Sequence, residues 1–290
     1  MKKFNKEKIK IAIQKSGRLT EDTLNLLQSA GLEFSTYNQT LFSSCRNFPI
    51  EILFLRDDDI PNCVDSGIVD FGIAGLNIVK ESGYRVKQLL DLDFGYCSLA
   101  IAVPKDSRIG SLDKLEGKRV ATSYPKSVKK YFTDKNINVK IVKIEGSVEI
   151  SPALGMADAI ADIVSTGSTL ALHDLKLLEK IFESNAVVFT NPGIDQSKME
   201  LIKRLLTRFK GVMAARTYKY IMMNAPKEII KDIQRVVPGL KSPTIAPLMN
   251  SDWYSVQTVV REDIFWETVE KLKDIGASGI IVLPIEKLIR

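Results

Sequence analysis

The densest concentration of groups able to do chemistry lies between Glu149 and Leu170, EISPALGMADAIADIVSTGSTL. A strand-like run, DAIADIV, leads into STGSTL and then a helix, so the Ser165–Thr169 amides fall where a helix N-terminus binds phosphate. Gly167 permits a turn and close backbone approach, and Ser165, Thr166, Ser168 and Thr169 each add a hydroxyl. No lysine follows in the Walker position, which separates this segment from an ATPase P-loop. Upstream, Glu149, Asp158 and Asp162 supply carboxylates able to accept from sugar hydroxyls or to hold Mg²⁺. A phosphate cradle beside carboxylates is what a ribose 5-phosphate requires at its two faces. On spacing alone a plain capped turn is the alternative; acids and hydroxyls gathered in one strand–turn–helix unit favour the site.

Those residues need a scaffold, and the chain supplies alternating β-branched runs and amphipathic stretches, the pattern of an α/β protein with a largely parallel sheet. IKIAIQ, EILFL and VDFGIAG read as strands, with helices over EDTLNLLQSAG, the stretch after RDDDIP, and LNIVKESG. Beyond Asp91 a second series begins with CSLAIAVP, KRVATSYP, a helix over SVKKYFTDKN, VKIVKIEG and DAIADIV, forming a second lobe. NAVVFTNP is a further strand that returns to the first lobe. After the long helical stretch SKMELIKRLLTRFKGVMAAR the order becomes βαββαβ, the ferredoxin-like arrangement, so a boundary is expected near Arg216. The expected division is 1–95 with 185–216 as one lobe, 96–184 as the other, and 217–290 as a separate domain.

The 290 residues carry 41 Lys and Arg against 35 Asp and Glu, a formal charge of +6, with 45% hydrophobic residues. That composition excludes intrinsic disorder and leaves room for two or three cores. No apolar run reaches the length of a membrane span, and the basic N-terminus lacks the apolar core of a secretory signal. The expectation is therefore a cytoplasmic protein without membrane or nucleic-acid partners, its charge suited to a phosphate-rich substrate. Cys45, Cys63 and Cys97 form no C-x-x-C pair and read as small buried hydrophobes.

The Glu149–Leu170 segment resembles the 5-phosphoribosyl 1-pyrophosphate (PRPP) signature of the ATP phosphoribosyltransferase family, which opens histidine biosynthesis. The resemblance extends through QKSGRL at Gln14–Leu19, RDDDIP at Arg56–Pro61, VDFGIAG, ATSYP at Ala121–Pro125, SPTIAPL at Ser242–Leu248 and GASGIIVLPIE. The C-terminal βαββαβ unit resembles that of the family's long form. It implies a two-lobed, periplasmic-binding-protein-like catalytic unit with an ACT-like, ferredoxin-like regulatory domain, ATP and PRPP as substrates, and Mg²⁺ with the departing pyrophosphate, its ligands unassigned.

Residue by residue, the resemblance implies that Ser165, Thr166, Gly167, Ser168 and Thr169 hold the 5-phosphate and that Glu149 and Asp162, with Asp158 nearby, serve the ribose. Lys15, Gly17, Arg18 and Arg56 would neutralise polyphosphate, Lys15 and Arg18 with a part in catalysis. Tyr124, Asp70 and Asp91 would contact nucleotide. Asp57, Asp58 and Asp59 are expected to cap a helix rather than bind metal, since adjacent side chains cannot all face one ion. His173 is expected at the surface, and Trp253 and Trp266 in a core or interface. L-Histidine, as feedback inhibitor, would sit between subunits of a dimer or hexamer, lined by Asn224, Ser242, Thr244, Ala246, Ser278 and Gly279, with AMP a second inhibitor. Asn224 stands where some relatives carry an acid, and an amide brings no charge to the ligand's amine.

Three rivals predict features of their own. A two-lobed binding or effector-sensing protein without catalysis predicts a secretion signal or a helix-turn-helix. A salvage phosphoribosyltransferase predicts two adjacent acids before the phosphate turn, whereas Ile163 follows Asp162. A silent regulatory subunit would not need an intact Glu149–Thr169 segment.

Overall fold

The computed structural model describes residues 8–35, 41–165, 167–249 and 252–289. β1 (Ile9–Gln14) is followed by α1 (Thr20–Ser29), β2 (Phe42–Ser44), β3 (Ile50–Leu55), α2 (Ile60–Asp65), β4 (Phe71–Gly75), α3 (Leu76–Ser82) and β5 (Lys87–Asp91). The chain then crosses to β6 (Cys97–Pro104), β7 (Arg119–Thr122), α4 (Pro125–Asp134), β8 (Lys140–Lys143), β9 (Ala159–Val164), α5 (Ser168–Leu172) and β10 (Leu175–Ser184). It returns as β11 (Ala186–Thr190) and runs into α6 (Gln196–Arg216). β12 (Tyr218–Pro226), α7 (Ile230–Val236), β13 (Thr244–Pro247), β14 (Trp253–Arg261), α8 (Phe265–Asp274) and β15 (Ser278–Pro284) complete it.

The chain divides into two compact units, the first ending at Ile202 and the second running from Lys203 and including Ser29–Gly31. The first unit holds two sheets, ordered β2-β3-β1-β4-β11-β5 and β10-β6-β9-β7-β8. A chain that passes from one sheet to the other after β5 and back before β11 makes the two-lobed, periplasmic-binding-protein-like fold. Both sheets are mixed rather than largely parallel. β1 runs parallel to β3 and β4, and β7 to β8 and β9, but β11 lies antiparallel to β4 and β5, and β6 antiparallel to β9 and β10. The reversal follows from the crossovers, because a strand entering from the other lobe arrives in the opposite direction.

β1 shows why these segments are strands. Ile9, Ile11, Ala12 and Ile13 are all fully buried, so both faces of the strand are covered, as a central strand between two helix layers requires. The second lobe packs Leu99, Ile101, Val103, Val120 and Phe132 into one core. In the second unit β12, β14, α7 and α8 enclose Ile221, Met223, Ile233, Val256 and Leu272. Its sheet is antiparallel, ordered β13-β14-β12-β15, the strand order of a ferredoxin-like domain. One expectation fails: Cys45, Cys63 and Cys97 are free thiols that are only partly buried. Trp266, expected in a core or an interface, is about three-quarters exposed and lies outside the core of its unit.

Candidate active site

The central parallel strands of each lobe end toward the cleft, where open α/β sheets place their ligands. β9 carries Ala159, Ile160 and Ala161 into the core and then emerges, leaving Asp162 half-buried. Gly167 follows in the left-handed region at φ +78 and leads into α5. This turn closes a cavity of about 100 Å³ lined by Arg18, Glu149, Asp162, Ser165, Gly167 and Thr169. Three separate segments therefore converge: the loop after β1, the short turn at Val148–Ile150, and the end of β9. Ser168 heads α5 beside them; Thr166 lies outside the described residues.

The cavity holds two acids against one arginine. Burial pushes the Asp162 carboxyl above its ordinary range; an accepted bond from Ile163 N at 2.8 Å lowers it, Glu149 raises it, and Arg18 opposes the rise. The sole histidine, His173, is partly exposed, with Nε2 3.9 Å from Glu149 Oε1.

The loop bearing Arg18 is held by Gln14, which opens the QKSGRL motif but was given no role of its own. Gln14 is buried; its amide donates to Asp57 Oδ2 at 3.1 Å and accepts from Leu19 N at 3.2 Å. It folds over Gly17, where φ is +138 and an added Cβ would lie 2.4 Å from Gln14 Nε2. Gly17 is thus needed for the backbone of this loop. The available signal was an amide closing the strand IKIAIQ, whose other residues apart from Lys10 are apolar. Asp57 also accepts from Asp58 N at 3.2 Å, a local cap, while Asp59 makes no side-chain cap bond at the start of α2.

A larger cavity of about 540 Å³ opens between the lobes, lined by Asp57, Asp58 and Glu81 on one side and Tyr124, Lys126, Lys143 and Glu145 on the other. Burial raises the Asp58 carboxyl, helped by Asp57, Asp59 and Glu145. Tyr124 lies in this wall, its hydroxyl accepting from Asn77 Nδ2 at 3.1 Å, and burial holds its proton up to about 12. Asn77 is buried against the second crossover: its N–H donates to Ser184 Oγ at 2.9 Å, and Ser184 Oγ donates to Asn77 Oδ1 at 3.0 Å.

Other expected residues stand apart. Asp158 precedes β9, at the opposite end of the strand from the turn, where it accepts from Arg119 N at 2.8 Å and from the Arg119 guanidinium; that bonding holds it below the usual carboxylate range. Asp70 precedes β4, level with Lys10, and is buried in a pair with Lys198 Nζ at 3.0 Å while accepting from Lys10 N at 2.7 Å. Its place is structural, away from the strand ends that face the cleft. Asp91 ends the edge strand β5, exposed and bonded to Gln88. Lys15 and Arg56 are exposed beside the cleft ends of β1 and β3, Lys15 N donating to Leu55 O.

In the second unit, Asn224 pairs with Ser278, and a bulge at Gly279, φ +58, brings that glycine against the Asn224 amide. Thr244 and Ala246 lie on β13, with Ser242 just before it, and β13 and β15 occupy opposite edges of the sheet. Three strand spacings, about 14 Å, separate those edges. The six residues therefore fall into two groups, one toward each edge of the sheet.

The family described as "ATP phosphoribosyltransferase" matches residues 56–211, and "HisG, C-terminal domain" matches residues 215–287. Over 281 residues, the chain is 44% identical to the ATP phosphoribosyltransferase of Parabacteroides distasonis, covering 97% of this chain and 99% of that protein. The chain belongs to the ATP phosphoribosyltransferase family. The Bacteroides thetaiotaomicron ATP phosphoribosyltransferase is 46% identical over the same length. Among solved structures, an ATP phosphoribosyl transferase (HisG:HisZ) complex from Thermotoga maritima superposes with a TM-score of 0.60 at 28% identity, covering 70% of this chain and 98% of that one. The chain thus combines the transferase region with a C-terminal domain. Among the described residues no helix is long and apolar enough to cross a membrane.

Proposed function

We propose that this chain transfers the 5-phosphoribosyl group of PRPP to N1 of ATP, giving N1-(5-phosphoribosyl)-ATP and pyrophosphate, the first step of L-histidine biosynthesis, with L-histidine as feedback inhibitor. The supporting observation is the convergence of Arg18, Glu149, Asp162, Ser165, Gly167 and Thr169 on one cavity. The turn takes the 5-phosphate, while Glu149 and Asp162 accept from the ribose hydroxyls. The adenine N1 lone pair forms the new bond to ribose C1 as the C1–O bond breaks and its electrons leave with pyrophosphate. No strong base is required, so catalysis rests on alignment and on carboxylates near a centre that becomes positive. Lys15, Arg18 and Arg56 meet the polyphosphate on this reading.

Among the described residues no three acidic, histidine or cysteine side chains cluster as a metal cage. Two acids lining a small cavity fit the common Mg²⁺ pattern of few carboxylates and many phosphate oxygens. On this reading Glu149 and Asp162 would help hold a Mg²⁺ ion bound with PRPP, which would supply charge neutralisation for the pyrophosphate. The functional domains are 1–95 with 185–216, 96–184, and 217–290, and the location is cytoplasmic.

The two groups, one toward each edge of the sheet, support a histidine site completed by a second copy of the chain, in a dimer or hexamer, with AMP as a further inhibitor. The test follows the ultraviolet absorbance of N1-substituted adenine with ATP, PRPP and Mg²⁺, with and without L-histidine. Product formation suppressed by histidine is expected; PRPP binding without product would leave a binding protein. Asn224→Asp should restore a charge opposite the ligand's amine and lower the inhibiting histidine concentration about tenfold, the scale of one charge-assisted hydrogen bond. An unchanged or weaker inhibition would remove Asn224 from the site.

A further inference from the structure

Helix α4 begins with Pro125 and has Tyr124 at its N-cap, whose side chain makes no cap hydrogen bond. The next two amides, of Lys126 and Ser127, are donors the helix cannot satisfy from within. One carboxylate from the other lobe takes both: Glu81 Oε1 accepts from Lys126 N and Oε2 from Ser127 N, each at 2.9 Å. Glu81 is next to last in α3, and α4 returns the contact. Lys126 Nζ donates to the carbonyl of Ser82, the final residue of α3, at 2.7 Å. An anion thus sits at one helix's N-terminus and a cation at the other's C-terminus, the favourable sense for both dipoles. Gly83, at φ +71, ends α3; a Cβ there would stand 3.5 Å from Lys126 Nζ.

Two more links leave α3 along the same face. Asn77 donates to Tyr124, and the Lys80 ammonium lies 4.0 Å from the centre of the Phe182 ring. The chain passes between the lobes at two crossovers, before β6 and before β11, and paired crossovers of this kind are natural hinges. Glu81 and Lys126 also line the larger cavity between the lobes.

We propose that Glu81 and Lys126 are positioning residues that cap each other's helices across the cleft and hold the lobes at the angle where both substrates can be reached. The kinetic half of the test rests on the transferase reading; the distance half does not. Nitroxides attached through unnatural ketone side chains at Asp22 and Lys114, exposed positions on the two lobes, report the angle by electron–electron double resonance. The full chain is used, diluted with unlabelled copies so that only distances within one chain are read.

Glu81→Ala and Lys126→Met should each broaden the distance distribution, with Glu81→Gln between them and the parent because one acceptor oxygen remains. A smaller population with the lobes correctly placed raises apparent KM by the inverse of that fraction. KM for ATP and PRPP should therefore rise threefold or more while kcat stays within twofold. The exchanged pair, Glu81→Lys with Lys126→Glu, should not recover, because it puts a cation at the N-terminus of α4. Unchanged distance distributions in both single variants, or recovery in the exchanged pair, would overturn the mutual capping. Broadened distributions with unchanged KM, or with a fall in kcat alone, would overturn the positioning role.

Discussion

Replacing Asp162 with asparagine should make the protein more stable and nearly inactive. Burial and Glu149 raise its carboxyl above the ordinary range, so the folded chain holds that proton more tightly than the unfolded chain does. The ionised form at neutral pH therefore costs stability, and the cost shrinks once pH falls below the raised value and is gone below the ordinary one. The asparagine amide has no charge to desolvate, and a thermal melt at neutral pH should move up by a few degrees. In acid the difference between the two proteins should shrink. Activity should move the other way, since a carboxylate opposite a ribosyl centre gaining positive charge is worth about 100-fold or more in kcat/KM. The parent enzyme should lose affinity for PRPP on acidification, starting at a higher pH than an ordinary carboxylate would give, and the variant should lack that limb. A variant that melts lower, or that keeps its kcat/KM, would contradict this account of Asp162.

Gly167→Val should disable the phosphate turn without unfolding the chain. Gly167 sits at φ +78, and a Cβ there would meet nothing within 4 Å, so the penalty is backbone strain alone, about 1–2 kcal/mol. Gly117, at φ +71 and equally open, precedes β7 at the opposite end of the same sheet and serves as the control. The two valine variants should melt alike. Only the Gly167 variant should lose PRPP affinity and turnover, by about 100-fold in kcat/KM for a displacement of the turn near 1 Å. Thr169→Ala should act in the same direction with a smaller effect, by removing one hydroxyl donor. Equal losses at Gly117 and Gly167, or none in Gly167→Val and Thr169→Ala, would remove the phosphate role.

What the sequence could disclose was local. The Asp162–Thr169 turn was legible because its groups are neighbours in the chain, and the βαββαβ order because each strand and helix carries its own period. β10 was not expected as a strand: LKLLEKIFES follows a helix start and alternates poorly, and its β-structure comes from pairing with β6, with two register irregularities. The mixed direction of the sheets was equally hidden, since direction depends on which lobe a strand returns to. Asp70 and Asp158 looked like site acids because they are carboxylates near strands. Their partners, Lys198 and Arg119, lie 128 and 39 residues away and mark them as structural. The roles of Gln14, Asn77 and Glu81 escaped notice for the converse reason, since each matters through a residue of another segment.

The position of β11 has a consequence for the order in which the chain can fold. Among the described residues β5 has β11 as its only neighbour in the first sheet, and β11 separates it from β4. β5 is complete at Asp91, but its partner begins at Ala186, roughly 95 residues later. At ribosomal rates that gap lasts about 5–20 s. Through that interval β4, an entirely buried strand in the finished protein, presents a bare apolar edge, the kind that recruits other chains. The second lobe, synthesised in between, contains all the strands of its own sheet and can close first. The nascent protein is thus expected to be most prone to aggregation while its second lobe is already formed and its first is waiting for one strand.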